Sequence, residues 1–123
     1  MKNKTIMIVD DELDVRNLVE NILKTAGFEV IKVKNGSDCL KKLSKSKPDL
    51  ILLDFFMPDM SGRQILEEIR NNPKTKDQKV AFLTIANFSN VGLNELNKLD
   101  CLDYIRKPFN ADNLVKRVKA LLK

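Results

Sequence analysis

The middle of the chain reads Leu50-Ile51-Leu52-Leu53-Asp54, followed by Phe55-Phe56-Met57-Pro58. Four consecutive large aliphatic residues are typical of a strand that is buried on both faces in the middle of a parallel sheet. The proline and the polar residues after it end the strand. The sequence therefore predicts a carboxylate, that of Asp54, at the carboxyl end of a central strand, where open α/β sheets bind their ligands. Taken alone, the same aspartate is equally compatible with a simple turn cap.

Short apolar segments alternate with segments of helical periodicity along the whole chain. The predicted strands are residues 5–9, 28–33, 50–53, 80–84 and 104–107. Candidate helix caps are Ser37, Ser61 and Asn110, and the helix within residues 85–99 is the least well defined because glycine and asparagine lower its propensity. Strands joined by right-handed helical crossovers form a parallel sheet with helices on both faces. We therefore predict one α/β domain over residues 1–123, a flavodoxin-like (βα)5 doubly wound parallel sheet with strand order 2-1-3-4-5.

Composition limits the classes of function that the chain can have. It has 123 residues, 43% of them hydrophobic and 32% charged, which is typical of one soluble domain. Histidine is absent, which excludes histidine catalysis, histidine metal ligands and a phosphohistidine. The two cysteines, Cys39 and Cys101, match no metal-binding spacing, and we expect reduced thiols in a cytoplasmic protein.

Positive charge is spread along the chain. The 22 lysines and arginines outnumber the 17 acidic residues and give a net charge of +5. The densest basic run, residues 41–47, is interpreted as a solvated helix face and loop. No motif that reads a nucleic-acid groove is present, so we do not expect direct nucleic-acid binding. No apolar run is long enough to span a membrane and no signal-peptide pattern is found, so no membrane partner is expected.

Polar side chains follow four of the five predicted strands. Asp10 and Asp11 follow the first strand, Asp54 the third, Thr84 ends the fourth, and Lys107 ends the fifth. Because neighbouring strands lie ~4.8 Å apart, the carboxylates of Asp11 and Asp54 can share one ion. Clustered carboxylates repel one another, and Mg²⁺ suits such a site because it takes few protein ligands and keeps waters.

The same residues favour phosphoryl chemistry. A carboxylate such as Asp54 can act as a nucleophile towards phosphorus. Lys107, Thr84 and Mg²⁺ would offset the charge of the phosphoryl oxygens. The chain has no glycine-rich phosphate loop, so a nucleotide is not the expected ligand.

Several short motifs together resemble the response-regulator receiver domain of two-component signalling, in its stand-alone, chemotaxis-regulator-like form. The resemblance covers the whole chain and is carried by Val9-Asp10-Asp11-Glu12, by Asp54 with Met57-Pro58 and Ser61-Gly62, by Thr84, and by Tyr104 with Lys107-Pro108-Phe109. It implies that Asp54 accepts a phosphoryl group from a sensor histidine kinase or a histidine phosphotransfer protein. It also implies that Asp11, Asp54 and the backbone carbonyl of Phe56 bind Mg²⁺, with Asp10 assisting through water.

The resemblance also implies how a signal leaves the site. Lys107 would contact the phosphoryl group, with a cis bond to Pro108, and Thr84 and Tyr104 would be the switch pair. Phosphorylation would change a docking surface around the fourth helix and the fifth strand, to which an unidentified downstream protein binds. Such a protein is a signalling phosphoacceptor that assists its own phosphorylation and dephosphorylation, and is not an enzyme in the usual sense.

Two other classes of function stay open. An aspartate-nucleophile phosphatase would place a second acid two residues after the nucleophile, and Phe56 stands there. A pseudo-receiver that is never phosphorylated would not need the full set of site residues. The sequence also departs from the family at Phe56, Ile85, Ala86 and Asp100-Cys101. The first three predict slow loss of the phosphoryl group, because Phe56 and Ala86 offer an attacking water no polar side chain and Ile85 narrows access to Asp54.

Overall fold

The computed structural model describes residues 3–85 and 90–123, with the side chains of residues 90–93 excepted. The strands are β1 Thr5–Val9, β2 Glu29–Val33, β3 Leu50–Leu53, β4 Val80–Thr84 and β5 Tyr104–Arg106. The helices are α1 Leu13–Thr25, α2 Gly36–Leu43, α3 Gly62–Asn71, α4 Asn90–Asn97 and α5 Ala111–Leu121. All strand pairs are parallel and the strand order is β2-β1-β3-β4-β5. The predicted flavodoxin-like fold is confirmed.

Strand β3 occupies the centre of the sheet, and all four of its side chains are fully buried. Successive side chains of a strand point to opposite faces. Ile51 and Leu53 accordingly pack in one core cluster with residues of α3, and Leu50 and Leu52 pack in a second cluster with residues of α1 and α5. Burying a side chain of this size stabilises the fold by about 1.5–3 kcal/mol. The run of aliphatic residues thus reflects a strand with a core on each side.

Helix starts follow the sequence signals with one exception. Ser61 and Gln64 form a capping box at the start of α3, and Asn110 accepts a hydrogen bond from the Asn113 amide at the start of α5. The prediction that Ser37 caps α2 is wrong. Asn35 is the cap and accepts from the Asp38 amide at 2.8 Å, so the helix begins at Gly36. The Ser37 side chain instead donates a hydrogen bond to Asp59.

The turn before β5 differs from the usual pattern of the family that the sequence resembles, in which glycine often precedes this strand. Asp100 has a φ of 57° and therefore adopts the left-handed conformation that glycine takes most easily. Aspartate tolerates this region better than most residues do. The guanidinium of Arg70 donates hydrogen bonds to the carbonyls of Leu99 and Asp100, at 2.6 and 3.1 Å, and so supports the turn.

No helix in the described residues combines the length and the apolar character that crossing a bilayer would require.

The first residue of α3 fixes the loop that follows the central strand. A Cβ atom on Gly62 would lie 2.6 Å from a ring carbon of Phe82 and 2.8 Å from both the Asp54 carbonyl oxygen and the Phe55 Cα. The Gly62 amide also donates to the Phe55 carbonyl at 2.7 Å. The start of α3 therefore lies directly against the backbone of Asp54 and Phe55, and only glycine allows this approach.

This close approach predicts that Gly62→Ala destabilises the protein by about 2–3 kcal/mol, because two of the atoms that would clash belong to the backbone and cannot rotate away. Gly36→Ala is the matched control, since Gly36 is also buried and also begins a helix. The three atoms nearest to its Cβ would be side-chain atoms, two of Ile65 and the sulfur of Met60, at 2.9–3.0 Å, and side chains adjust more readily than backbone. Urea unfolding of both variants measures the difference, and equal losses would contradict the role of the Asp54–Phe55 backbone.

Candidate functional site

The ends of β1 and β3 bring three carboxylates together. The two strands pair in register from Ile6 with Leu50 to Val9 with Leu53, and the Asp54 amide continues the ladder by donating to the Val9 carbonyl at 2.9 Å. Asp10 and Asp54 therefore leave the sheet side by side. Carboxylate oxygens of Asp10, Asp11 and Asp54 all lie within 4.8 Å of one another. Asp10 and Asp54 are buried, whereas Asp11 is exposed.

Lys107 reaches this cluster from the end of β5, the edge strand two positions from β3 in the sheet. Its amide donates to the Thr84 carbonyl at 3.0 Å, which continues the pairing of β5 with β4 by one residue, and its bond to Pro108 is cis. The Lys107 Nζ donates to Asp10 Oδ2 at 2.6 Å and lies 3.6 Å from Asp54 Oδ2. The ammonium group thus lies between the two buried carboxylates and partly compensates their charge.

The protonation equilibria of the site reflect burial and charge. Burial raises the pKa of Asp54, and the neighbouring Asp10 carboxylate raises it further. Lys107, the Phe56 amide and the Thr84 hydroxyl lower this pKa but do not cancel the rise. Burial lowers the pKa of Lys107, yet its hydrogen bond and attraction to Asp10 and its attraction to Asp54 outweigh burial, and the pKa is raised overall. Lys107 is therefore held as a cation, and the site has more negative charge than this one cation offsets.

The donor set fits a small hard cation. Three carboxylates offer oxygen ligands, the donors that Mg²⁺ prefers, and the exposed carboxylate of Asp11 lets a bound ion keep part of its water shell. Both oxygens of Asp10 already accept hydrogen bonds, one from the Glu12 amide at 2.9 Å and one from Lys107. The Phe56 amide lies 3.4 Å from Asp54 Oδ1, so the backbone of Phe56 lies beside the acidic cluster. That the Phe56 carbonyl is a ligand stays a prediction.

The two predicted switch residues lie on β4 and β5. Thr84 is buried, and its hydroxyl is one of the groups that lower the pKa of Asp54 by hydrogen bonding. The ring of Tyr104 is stacked on that of Phe82, with centroids 6.1 Å apart and an interplanar angle of 16°. The Tyr104 hydroxyl donates to Asn97 Oδ1 at 3.0 Å. Tyr104 is therefore attached to the last residue of α4.

Three contacts near the site were not evident from the sequence. Arg16 Nη1 donates to the Asp10 carbonyl at 2.8 Å, Asn97 binds the Tyr104 hydroxyl, and Asp59 accepts hydrogen bonds from the Gly36 and Ser37 amides at 3.1 and 3.0 Å. Asp59 thereby ties the loop after Asp54 to the start of α2. The partners are 6 to 23 residues apart in the sequence, and no local pattern indicates them.

Two residues that depart from the family pattern, Phe56 and Ile85, lie just after the strands that carry Asp54 and Thr84. The side chains of Phe56 and Ile85 are exposed by 57% and 65%. Phe56 packs edge-on against Phe55, with ring centroids 5.2 Å apart. Ala86, the third residue in this group, lies outside the described residues.

Comparison with known protein families agrees with this geometry. The family model for the response regulator receiver domain matches residues 6–119. The chain belongs to this family. The resemblance that the motifs at the strand ends indicated is thereby confirmed, and receiver domains are a signalling phosphoacceptor family of two-component systems.

Individual relatives agree with this assignment. The phosphate regulon transcriptional regulatory protein PhoB of Pseudomonas aeruginosa is 36% identical to the receiver chain over 128 residues, which cover 100% of this chain and 53% of PhoB. The alkaline phosphatase synthesis transcriptional regulatory protein PhoP of Bacillus subtilis is also 36% identical, over 98% of this chain and 49% of its own length. The chain spans about half the length of the curated relatives it matches.

Solved structures match over nearly their full length. The chemotaxis response regulator CheY4 of Vibrio cholerae superimposes with a TM-score of 0.90 at 28% identity, over 98% of this chain and 100% of that one. The response regulator TrrA of Thermotoga maritima, solved in complex with Mg²⁺ and a beryllium fluoride, gives a TM-score of 0.82 at 37% identity, over 97% and 99% of the two chains.

The acidic cluster predicts that Mg²⁺ binds in the millimolar to sub-millimolar range, on the order of 4–5 kcal/mol. Asp11→Ala removes one oxygen donor from the cluster and is expected to weaken binding by about tenfold or more. Asp14→Ala is the control, because Asp14 is an exposed acid three residues further on and is not a member of the cluster. Calorimetric or NMR titration with MgCl₂ measures both, and an unchanged affinity in Asp11→Ala would remove that residue from the site.

Proposed function

We propose that this receiver domain accepts a phosphoryl group on Asp54 from a histidine kinase or a histidine phosphotransfer protein. One observation carries the proposal: the Asp54 carboxylate lies at the end of the central strand with Lys107 Nζ 3.6 Å away and with oxygens of two further carboxylates within 4.8 Å. A buried nucleophile beside a fixed cation and oxygen ligands for a metal is the arrangement that phosphoryl transfer requires.

The chemistry follows from the positions of these groups. An Asp54 carboxylate oxygen attacks the phosphorus of the phosphohistidine, the phosphorus–nitrogen bond breaks, and the histidine nitrogen leaves with the electron pair. Asp11 and Asp54, with the Phe56 carbonyl, would hold Mg²⁺, which when bound supplies positive charge for the phosphoryl oxygens. Lys107 would offset the charge of another of these oxygens, and its raised pKa supports its role as a permanent cation.

The site supports a phosphoacceptor better than it supports the alternatives. A phosphatase of the aspartate-nucleophile type needs an acid to protonate its leaving group, and the position two residues after Asp54 is Phe56. A pseudo-receiver would not need Lys107 buried against Asp10 and Asp54, since burying such charges has an energetic cost.

Switching of a docking surface is also part of the proposal. A phosphoryl group on Asp54 would offer new acceptors to the Thr84 hydroxyl, which now contributes a hydrogen bond to the Asp54 carboxylate. Movement of Thr84 would change the space available to Tyr104 on the neighbouring strand. Because the Tyr104 hydroxyl binds Asn97, a reorientation of Tyr104 would break a contact with the end of α4. This chain of contacts supports α4 and β5 as the surface that a downstream protein binds.

We further propose that residues 1–123 form a single receiver domain that acts in the cytoplasm. The match of the receiver-domain family model to residues 6–119 supports one domain.

Asp54 is predicted to be the phosphoacceptor. With Mg²⁺ and a small-molecule phosphodonor, the wild-type protein is expected to gain the mass of one phosphoryl group, and Asp54→Asn is expected to gain none, because an amide oxygen is a poor nucleophile. Asp59→Asn is the control, since Asp59 lies in the same loop but binds the start of α2. Intact-mass spectrometry measures labelling, and labelling of Asp54→Asn to the wild-type extent would place the nucleophile elsewhere.

The phosphorylated state is predicted to be long-lived. Hydrolysis needs a positioned water. The side chain of Phe56 offers that water no hydrogen bond, and the side chain of Ile85 adds bulk beside its approach path. Restoring one positioning contact is worth roughly 1–2 kcal/mol, or about a factor of ten in rate. Phe56→Asn and Ile85→Ala are therefore expected to lose the phosphoryl group faster than the wild type.

The decay of purified phosphoprotein, followed by mass spectrometry, tests this expectation. Leu102→Ala is a suitable control, because Leu102 is also an exposed apolar residue. It lies before the amino end of β5, whereas Lys107 of the site follows the carboxyl end. Unchanged or slower decay in both Phe56→Asn and Ile85→Ala would show that these side chains do not control the attacking water.

A further inference from the structure

A basic trough runs along the outer edge of β2. Two hollows, of about 550 and 480 Å³, follow one another beside this strand. The first is lined by residues 28–31 of the chain and the second by residues 32–34. Both hollows are lined by a residue of α1 and by residues in or just after α2. Together we call them the trough, and the strand beside them is about 17 Å long.

The walls of the trough carry a large share of the positive charge of the chain. The second hollow is lined by six cations, namely Arg16, Lys32, Lys34, Lys41, Lys42 and Lys45, and by one acid, Asp38. The first adds Lys24 and Lys47 against Glu29. Lys24 and Lys32 share the Glu20 carboxylate. Within the described residues, Lys34, Lys41, Lys42 and Lys45 have no acidic partner within 4 Å.

The floor of the trough is an open strand edge. The Glu29 amide donates to the Lys4 carbonyl, and the Val33 carbonyl accepts from the Asp10 amide, so alternate residues of β2, beginning at Glu29, face β1. In a parallel ladder the residues between them direct their N–H and C=O groups to the other side. These are Val30 and Lys32. Because β2 is the first strand in the sheet order, no strand within the described residues pairs with that side.

From these two observations we infer that the β2 edge is a docking site for an acidic, extended segment of a partner protein, which adds to the sheet as a further strand. The backbone groups of Val30 and Lys32 would hydrogen-bond to the segment, as in other cases of strand addition. The lysines of α2 would attract acidic side chains on the segment and steer it into the trough. None of the three clustered carboxylates lines the trough, so the segment is expected to bind the unphosphorylated protein.

The lysines on this edge have a competing explanation. Charged side chains on an exposed edge also protect a sheet from pairing with other chains.

A second class of ligand, single-stranded nucleic acid, would also be attracted by a basic groove. The trough favours a peptide, because it combines strand-edge hydrogen-bonding groups with positive charge and because no aromatic residue other than Phe28 is present among its lining residues to stack on bases.

The test uses a fluorescent peptide of alternating glutamate and valine, with a single-stranded DNA oligonucleotide of equal charge as the competing ligand. Fluorescence anisotropy is expected to show saturable, salt-sensitive binding of the peptide. Lys41→Glu with Lys45→Glu is expected to weaken it at least about tenfold. Lys116→Glu with Lys119→Glu is the matched control on α5, with the same change in net charge, and is expected to stay within about threefold of the wild type.

Amide hydrogen exchange of the unphosphorylated protein, with and without the peptide, tests strand addition directly. The Val30 and Lys32 amides are expected to gain protection from exchange, because they face the trough, whereas the Ile31 amide, already paired with β1, is not. The proposal is overturned if the peptide does not bind, if the two double variants lose affinity equally, or if Val30 and Lys32 gain no protection. Tighter binding of the oligonucleotide with the same dependence on Lys41 and Lys45 would also overturn it, in favour of nucleic acid.

Discussion

The site depends on a buried ion pair between the ends of β1, which neighbours the central strand, and β5, at the edge of the sheet. Lys107 Nζ lies 2.6 Å from Asp10 Oδ2, and the side chains are only 11% and 0% exposed. Removing two charges from water costs several kcal/mol per ion, and only close geometry with further hydrogen bonds compensates this cost. The Glu12 amide provides such a bond by donating to Asp10 Oδ1 at 2.9 Å, and Arg16 fixes the Asp10 backbone by donating to its carbonyl. The strand ends are therefore held in one arrangement by electrostatics as well as by the sheet.

The central strand and its following loop position Asp54 against this ion pair. The strand is fixed by a core on each face, and the loop is fixed at two points. Gly62 lets α3 start directly on the Asp54–Phe55 backbone, and Asp59 binds the first amides of α2. Burial of Asp59 raises its pKa, but these hydrogen bonds outweigh burial and lower it overall, so Asp59 accepts them as a carboxylate. A loop held at both points keeps the Asp54 carboxylate close to Lys107.

The sequence predicts the strands and most of the site because their signals are local. A run such as Leu50–Leu53 is compatible with few structures other than a central strand, and polar residues directly after such strands must meet at one edge of a parallel sheet. Contacts such as Asp59 with α2, or Asn97 with Tyr104, depend on how loops and helix ends pack, and neither partner has a pattern that marks it. The error at Ser37 has the same origin, since three neighbouring residues, Asn35, Gly36 and Ser37, are all acceptable at a helix start, and the geometry of the turn selects Asn35.

Charge distribution connects the site with the rest of the surface. The chain has a net charge of +5, yet its buried charges are mainly carboxylates, and one lysine reaches them. A phosphoryl group on Asp54 would add negative charge where burial already disfavours the ionised carboxylate. Such a product is stable only if further positive charge enters the site or if donors such as Thr84 reorient towards it. The excess of negative charge that suits the site to a cation would therefore make modification of Asp54 depend on movement of its neighbours. Such coupled movement is the physical requirement for a switch.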